Sequence, residues 1–256
     1  MTPHSQRSAF NRPENIFCSQ EEVMSEDGDQ FEQHSIQEKA KKILRKYDVE
    51  DKFSHLAFSK ASVLLPLLMK DGKLHLLFTV RSMKLKTSPG DVCFPGGRGE
   101  PTDCNEIETA LREAEEEVGL HPGQVEFISR LVPAFSKDGT LVTPVVAIIQ
   151  ETFQARPNPE EVTDVFLVPL EYFVKPGKYF TVPIKNKELT KVLHCFEYKD
   201  PKTNKVFMIW GLTAHFALML AVLLLEKKPS FNDNFDVDHQ ISSIEQMLLG
   251  LNKSKL

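Results

Sequence analysis

The sequence predicts an α+β fold, one layered domain in which strands are covered by a few helices. Three features predict it. Two apolar runs flank an Asp71-Gly72 turn, a stretch of helical period runs from Ile107 to Val118 behind a glycine-rich loop, and a long apolar run extends from Ile209 to Glu226. The chain has 256 residues, enough for one sizeable core or two small ones, and no internal repeats. Strands mixed with helices then argue for a single layered domain.

Residues 1 to about 36 are polar and acidic without a sustained period, and are expected to lack fixed structure. In SIQEKAKKILRKYD the apolar residues Ile36, Ala40, Ile43, Leu44 and Tyr47 recur at helical spacing. ASVLLPLLMKDGKLHLLFTVRS reads as two strands joined at Asp71-Gly72, because Asp-Gly tolerates the positive φ of a tight hairpin. Pro66 has no backbone N–H, so it predicts an edge position or an irregularity in the first strand. Pro89-Gly90 and Pro95-Gly96-Gly97 punctuate the loop that follows. Asp103 is the expected N-cap of the next helix, with Glu106 completing a capping box and Gly119 as the C-cap. VEFISRLVPAFSKDGTLVTPVVAIIQ supplies two strands around Lys137-Asp138-Gly139, and VTDVFLVPLEYF begins another element. LHCFEYKDPKTNKVFMIWGLTA reads as a hairpin leading into an apolar helix over 212–226, and DHQISSIEQMLLGL as a weaker helix before the tail.

Composition excludes several classes. The net charge of −5 disfavours non-specific nucleic-acid binding, and no nucleic-acid partner is expected. The N-terminal MTPHSQRSAFNRPENIF lacks the apolar core of a signal peptide. The apolar run before Glu226 spans about 17 residues and includes Gly211, Thr213 and His215. A buried helix is expected there, with no membrane insertion. Cys18, Cys93, Cys104 and Cys195 form no CxxC spacing, which argues against a zinc knuckle and fits a reducing compartment. No GxSxG, HExxH, P-loop or complete GxGxxG is present. His75 alternates within a strand, and His194 and Cys195, adjacent on a strand, point to opposite faces.

The chemistry concentrates in REAEEEVGL, Arg112 to Leu120. On a helix Ile107, Ala110, Leu111, Ala114 and Val118 form one apolar stripe. Glu113 and Glu117 fall together beside it, Glu116 lies further round within reach of Arg112, and Glu115 points to solvent. Taken alone, such a run is a solvated acidic face. Its like-charge neighbours cost about 0.2–0.5 kcal/mol per pair, and hard divalent cations give a reason to accept that cost. Mg²⁺ binds a few carboxylates together with substrate phosphates, and metal ions activate water for displacement at phosphorus.

These residues resemble the signature of the Nudix hydrolases, G-x5-E-x7-R-E-U-x-E-E-x-G-U with U aliphatic. The second half matches in full at Arg112, Glu113, Ala114, Glu116, Glu117, Gly119 and Leu120. The first half departs: fourteen residues separate Gly97 from Arg112 where the signature has thirteen, and Cys104 stands where the isolated Glu is expected. Asp103 beside it either substitutes or serves as the helix cap. Upstream, LLFTVRSMKLKTSPGDVCFPGG resembles the LLTxRSxxxRxxxGxxxFPGG motif of the coenzyme A subgroup of that family, with one extra residue in the LLTxR spacing and Lys86 at the second basic position. NPEEVTDVFLVPL and IWGLTAHFA are typical of the same subgroup.

The resemblance implies a Nudix fold, an α/β/α sandwich with a mixed sheet, over residues 37–230. A C-terminal helix and tail would fill 231–256, behind a disordered tail at 1–36. It implies hydrolysis of the diphosphate of coenzyme A and acyl-coenzyme A to adenosine 3′,5′-bisphosphate and 4′-phosphopantetheine or its acylated form, regulating peroxisomal coenzyme A levels. ADP-ribose or reduced nicotinamide dinucleotide is the alternative substrate. Glu113, Glu116 and Glu117 would bind Mg²⁺ or Mn²⁺, Glu113 or Glu116, or an acid from another loop, would take the proton of water, and Arg112 would orient the carboxylates. Arg81, Lys84 and Lys86 would meet phosphates, and Gly96 and Gly97 would allow close backbone approach. Phe94 is expected in the core. Glu160 and Glu161 are either a further base or metal contact or a solvated loop. Ser254, Lys255 and Leu256 form a tripeptide read at a free C-terminus by the peroxisomal import receptor, which places the protein in the peroxisome matrix.

Overall fold

The computed structural model describes residues 26–185 and 190–253. Residues 1–25 and the tripeptide 254–256 lie outside the described residues, as do the expectations made for them. The first helix, α1 (Glu26–Leu44), starts within the segment expected to lack structure and runs back from the predicted apolar pattern.

The hairpin at Asp71-Gly72 joins β1 (Lys60–Lys70) to β2 (Lys73–Arg81). Asp71 and Gly72 have φ of 51° and 67°, the doubly positive turn that matches the twist of paired strands. The loop beyond β2 contributes two short strands, β3 (Val92–Cys93) on β2 and β4 (Gly96–Arg98) on β1. After helix α2 (Glu106–Val118) come β5 (Val125–Arg130), β6 (Ala134–Phe135), β7 (Leu141–Ile149) and β8 (Val162–Pro169). These strands form one mixed sheet: β1 runs parallel to β7, and the other pairings are antiparallel.

β1 is central, so Pro66 does not mark an edge. On one flank β1 pairs with β7 without interruption, with Pro66 opposite Ala147. On the other flank it changes partner, from β4 at Ala61–Val63 to β2 at Leu67–Lys70. Leu64 N–H donates across this flank to Pro95 O at 2.8 Å, and position 66 faces the same way two residues on. The missing N–H therefore falls where no ladder partner is available, the irregularity that a buried proline requires. β7 is buried along its whole length because helices cover both faces of the sheet.

On one face Ala110, Ala114 and Val118 of α2 pack on Leu64, Leu68, Val145 and Ala147. The two alanines let the helix lie close to the sheet. The other face carries α1 and α3 (Gly211–Leu225), whose Phe216 and Leu220 join Leu65, Leu67, Phe78 and Val146. A second sheet, β9 (Tyr179–Lys185), β10 (Thr190–Lys199) and β11 (Val206–Trp210), packs against α3, and α4 (Val237–Lys253) follows. The apolar run at 209–226 is thus a core helix, and no helix among the described residues is long and apolar enough to cross a membrane.

The N-cap of α2 is Asn105, not Asp103. The Asn105 side chain accepts from the N–H of Ile107 at 2.9 Å and of Glu108 at 3.0 Å. Two capping residue types stand two positions apart, and local pattern does not choose between them. Gly119 closes the helix as expected, with φ of 69°. Asn105→Ala should lower stability by about 1 kcal/mol, measured by urea denaturation; an unchanged midpoint would remove the cap from the account.

Candidate functional site

The site is assembled at the C-terminal half of α2. Glu113 and Glu117 lie one turn apart beside the buried stripe, and Glu161 reaches them from the loop before β8. One carboxylate oxygen of each lies within 4.8 Å of the others. Glu161 arrives through the free carbonyls at the end of α2, which the helix itself leaves unbonded. Asn158 N–H donates to Glu117 O at 2.9 Å and Arg156 N–H to Val118 O at 2.8 Å. Ser82, just past β2, holds the same loop from the other side: its N–H donates to Glu161 O at 2.7 Å and its hydroxyl to Pro159 O at 3.3 Å.

Glu117 is 4% exposed, and its Oε2 is buried with no hydrogen-bond partner among the described residues. Burial, reinforced by the charge of Glu113, pushes its carboxyl up to about 8 against the pull of Arg81 and the Gly96 N–H. Burial also raises Glu113, with Arg112 opposing and Glu116 and Glu161 adding to the rise. An unpartnered carboxylate oxygen between two other acids is a poor arrangement for a bare protein and a good one for a divalent cation. Gly97 faces the cluster. A Cβ there would sit 2.3 Å from Glu113 Oε1, so any side chain at this position would displace the Glu113 carboxylate. A Cβ on Gly96 would meet Ser62 O at 2.3 Å, which makes that glycine a condition of the β1–β4 pairing.

Arg112 organises the acids. Its Nε and Nη2 donate to the two oxygens of Asp103 at 3.0 and 3.1 Å, Nη2 also to Glu113 Oε1 and Arg98 O at 3.1 Å, and Nη1 to Glu116 Oε2 at 3.2 Å. Asp103 also accepts from the Thr109 hydroxyl, and the Arg112 guanidinium holds its carboxyl down to about 2. Asp103 is therefore neither cap nor part of the carboxylate cluster but the anchor of Arg112. Cys104 is exposed, as is Glu115.

Of the sequence-predicted residues, the fold brings Glu113, Glu117, Gly96, Gly97, Arg112 and Arg81 together. Arg81 lies close enough for its charge to act on Glu117, and its Nε donates to Thr87 O at 3.2 Å. Glu116 is half-exposed and turned to Arg112 rather than into the three-acid cluster. Lys84 pairs with Glu160 on the surface and so ties the loop after β2 to the loop of Glu161. Lys86 is exposed. Phe94 is buried and stacks on Phe78 at 4.6 Å, as a core residue does. For Glu161 the NPEEV stretch fits a base or metal contact and a solvated loop alike, and spacing along the chain does not choose between them.

Comparison with known proteins agrees with this architecture. The family description "NUDIX domain" is matched over residues 59–202. The mouse peroxisomal coenzyme A diphosphatase NUDT7 is 50% identical over 210 residues, covering 82% of this chain and 89% of that protein. The Arabidopsis thaliana mitochondrial Nudix hydrolase 15 is 39% identical over 163 residues, and the chain spans 56% of its length. The uncharacterized Nudix hydrolase NudL of Photorhabdus laumondii is 37% identical over 161 residues, covering 63% of this chain and 82% of that protein.

The raised carboxyl has a consequence for stability. A folded-state value above the ordinary 4.5 means that the folded protein binds more protons than the unfolded chain between about 4.5 and about 8. In chelator, stability should therefore fall as pH rises through that window, and Glu117→Gln should flatten much of the fall in urea titrations. A variant with the wild-type slope would show that Glu117 is not the titrating group.

Proposed function

The chain belongs to the Nudix hydrolases, and on that footing we propose that it hydrolyses the diphosphate bond of coenzyme A and its acyl thioesters in the peroxisome. The products are adenosine 3′,5′-bisphosphate and 4′-phosphopantetheine or its acylated form. The observation that carries the reading is the packing of the Arg81–Gly97 loop, with its coenzyme A subgroup pattern, directly against the glutamates. The name of the 50%-identical mouse relative supports the same substrate and the same compartment.

Enzymes of this family depend on divalent metal, and the donor set here suits Mg²⁺ or Mn²⁺. Glu117 and Glu113 would hold the ion with Glu161, and Glu116 stands at the rim for a further one. When bound, the metal neutralises diphosphate charge and lowers the pKa of water. The protein's own residues do the rest. Glu113, with one oxygen fixed by Arg112, takes the proton of the attacking water. Arg112 keeps Glu113 and Glu116 at fixed angles and is itself held by Asp103. Arg81, beside Glu117, offers a cation to the diphosphate. Lys84 and Lys86 on the adjoining loop are the cations for the extra phosphate of coenzyme A. The tripeptide Ser254–Leu256 would deliver the protein through the peroxisomal import receptor.

Chromatography after separate incubations with coenzyme A, ADP-ribose and reduced nicotinamide dinucleotide, each with Mg²⁺, should show 4′-phosphopantetheine released from coenzyme A and slower turnover of the other two. Efficient ADP-ribose cleavage without it would sink the assignment. Glu117→Gln should abolish turnover in a folded protein. Arg112→Ala should lower kcat by about 10- to 100-fold, the usual loss when the residue orienting a ligand is removed. Deleting residues 254–256 from an N-terminally tagged chain should leave it in the cytosol under the microscope; continued peroxisomal import would exclude the tripeptide as the address.

A further inference from the structure

We infer that the cleft between β10, the first turn of α3 and the Phe135–Lys137 turn receives the sulfur-bearing arm of the substrate, so that acyl chains on that arm are read there. The inference rests on the coenzyme A reading above. The cleft encloses about 990 Å³. Strand β10 forms one wall because β11 stops short of it: pairing with β11 ends at Cys195–Trp210, so among the described strands residues 192–194 pair with β9 alone. Phe135, Leu193, Trp210 and Leu212 present apolar surface. Two of the polar side chains along the walls already have hydrogen-bond partners. The Thr213 hydroxyl donates to Val92 O at 3.3 Å, and His194 Nδ1 lies 2.9 Å from the Tyr179 hydroxyl.

Both lips of the cleft are tied to residues beside the glutamates. Ser88 and Asp91 form one lip. Arg81, next to Glu117, donates its N–H to Asp91 O at 2.9 Å and its Nε to Thr87 O at 3.2 Å. Ser136 and Lys137 form the other lip. Arg98, whose carbonyl Arg112 holds, donates to Asp138 Oδ2 at 3.1 Å. Lys137 Nζ donates to Ser88 Oγ at 3.3 Å, so a cation bridges the lips. A diphosphate bound at the glutamates has two arms to place. The nucleoside arm carries an anionic 3′-phosphate on its ribose, which would lose hydration in an apolar cleft. The other ends in a thiol or an acyl chain, which gains by leaving water.

Trp210 is the only tryptophan in the chain, and it lines this cleft. In the full chain with Mg²⁺, decanoyl-4′-phosphopantetheine, which has no diphosphate to cleave, should change the Trp210 emission, whereas adenosine 3′,5′-bisphosphate should not. Val192, 51% exposed on the open edge of β10, tolerates Tyr without burying a new group in the core. Val192→Tyr should lower kcat/KM for decanoyl-coenzyme A roughly tenfold, with a smaller loss on free coenzyme A and none on ADP-ribose. Equal losses on all three, or no Trp210 response to the acylated arm while the wild type cleaves decanoyl-coenzyme A, would overturn the inference alone. A wild-type protein that cleaves neither coenzyme A nor its ester would overturn the coenzyme A reading and this inference with it.

Discussion

Three carboxylates held within 4.8 Å of one another, one of them with a buried oxygen that has no hydrogen-bond partner among the described residues, set the terms for everything around them. Their mutual repulsion and their loss of water oppose the fold unless a cation is present. The surrounding contacts hold the acids in place against that cost. Arg112 takes up part of the negative charge and is fixed from the far side by Asp103 and the Arg98 carbonyl. Gly97 gives Glu113 room that any side chain would occupy. The carbonyls at the end of α2 suspend the loop that brings Glu161.

Such a cluster needs a rigid base, and the sheet supplies it. α2 is seated by Ala110, Ala114 and Val118 on strands buried from both sides, so its acidic face cannot turn away to relieve the repulsion. β4 fixes the loop before the helix to the central strand, through a contact that only Gly96 permits. The residues that break local rules, a buried acid with one oxygen unpartnered among the described residues and glycines in close contact, are gathered in this one region. Such departures are expected where function rather than stability decides.

Much of this was legible in the chain. The Asp71-Gly72 hairpin, the apolar stripe of α2, the Gly119 cap, the buried Phe94 and the pairing of Glu113 with Glu117 each depend on neighbours within a turn or two. The misreadings share a cause. Asp103 and Asn105 are equally good caps by type, and only the approach of Arg112 claims Asp103 for another task. Pro66 allows either an edge or an irregularity, and only the sharing of one flank of its strand by β4 and β2 decides for the irregularity.

The sequence by itself determined the Asp71-Gly72 hairpin, the metal-suited helix and the loop pattern that narrows the substrate, because these rest on spacing within one segment. The tertiary structure decided which acids meet. It turned Glu116 outward to Arg112 and brought in Glu161 from a loop more than forty residues beyond Glu117. It also opened an apolar cleft among β10, α3 and the 135–137 turn, segments that share no local pattern. Contacts between distant segments depend on how helix and sheet pack, and spacing along one segment carries no record of that.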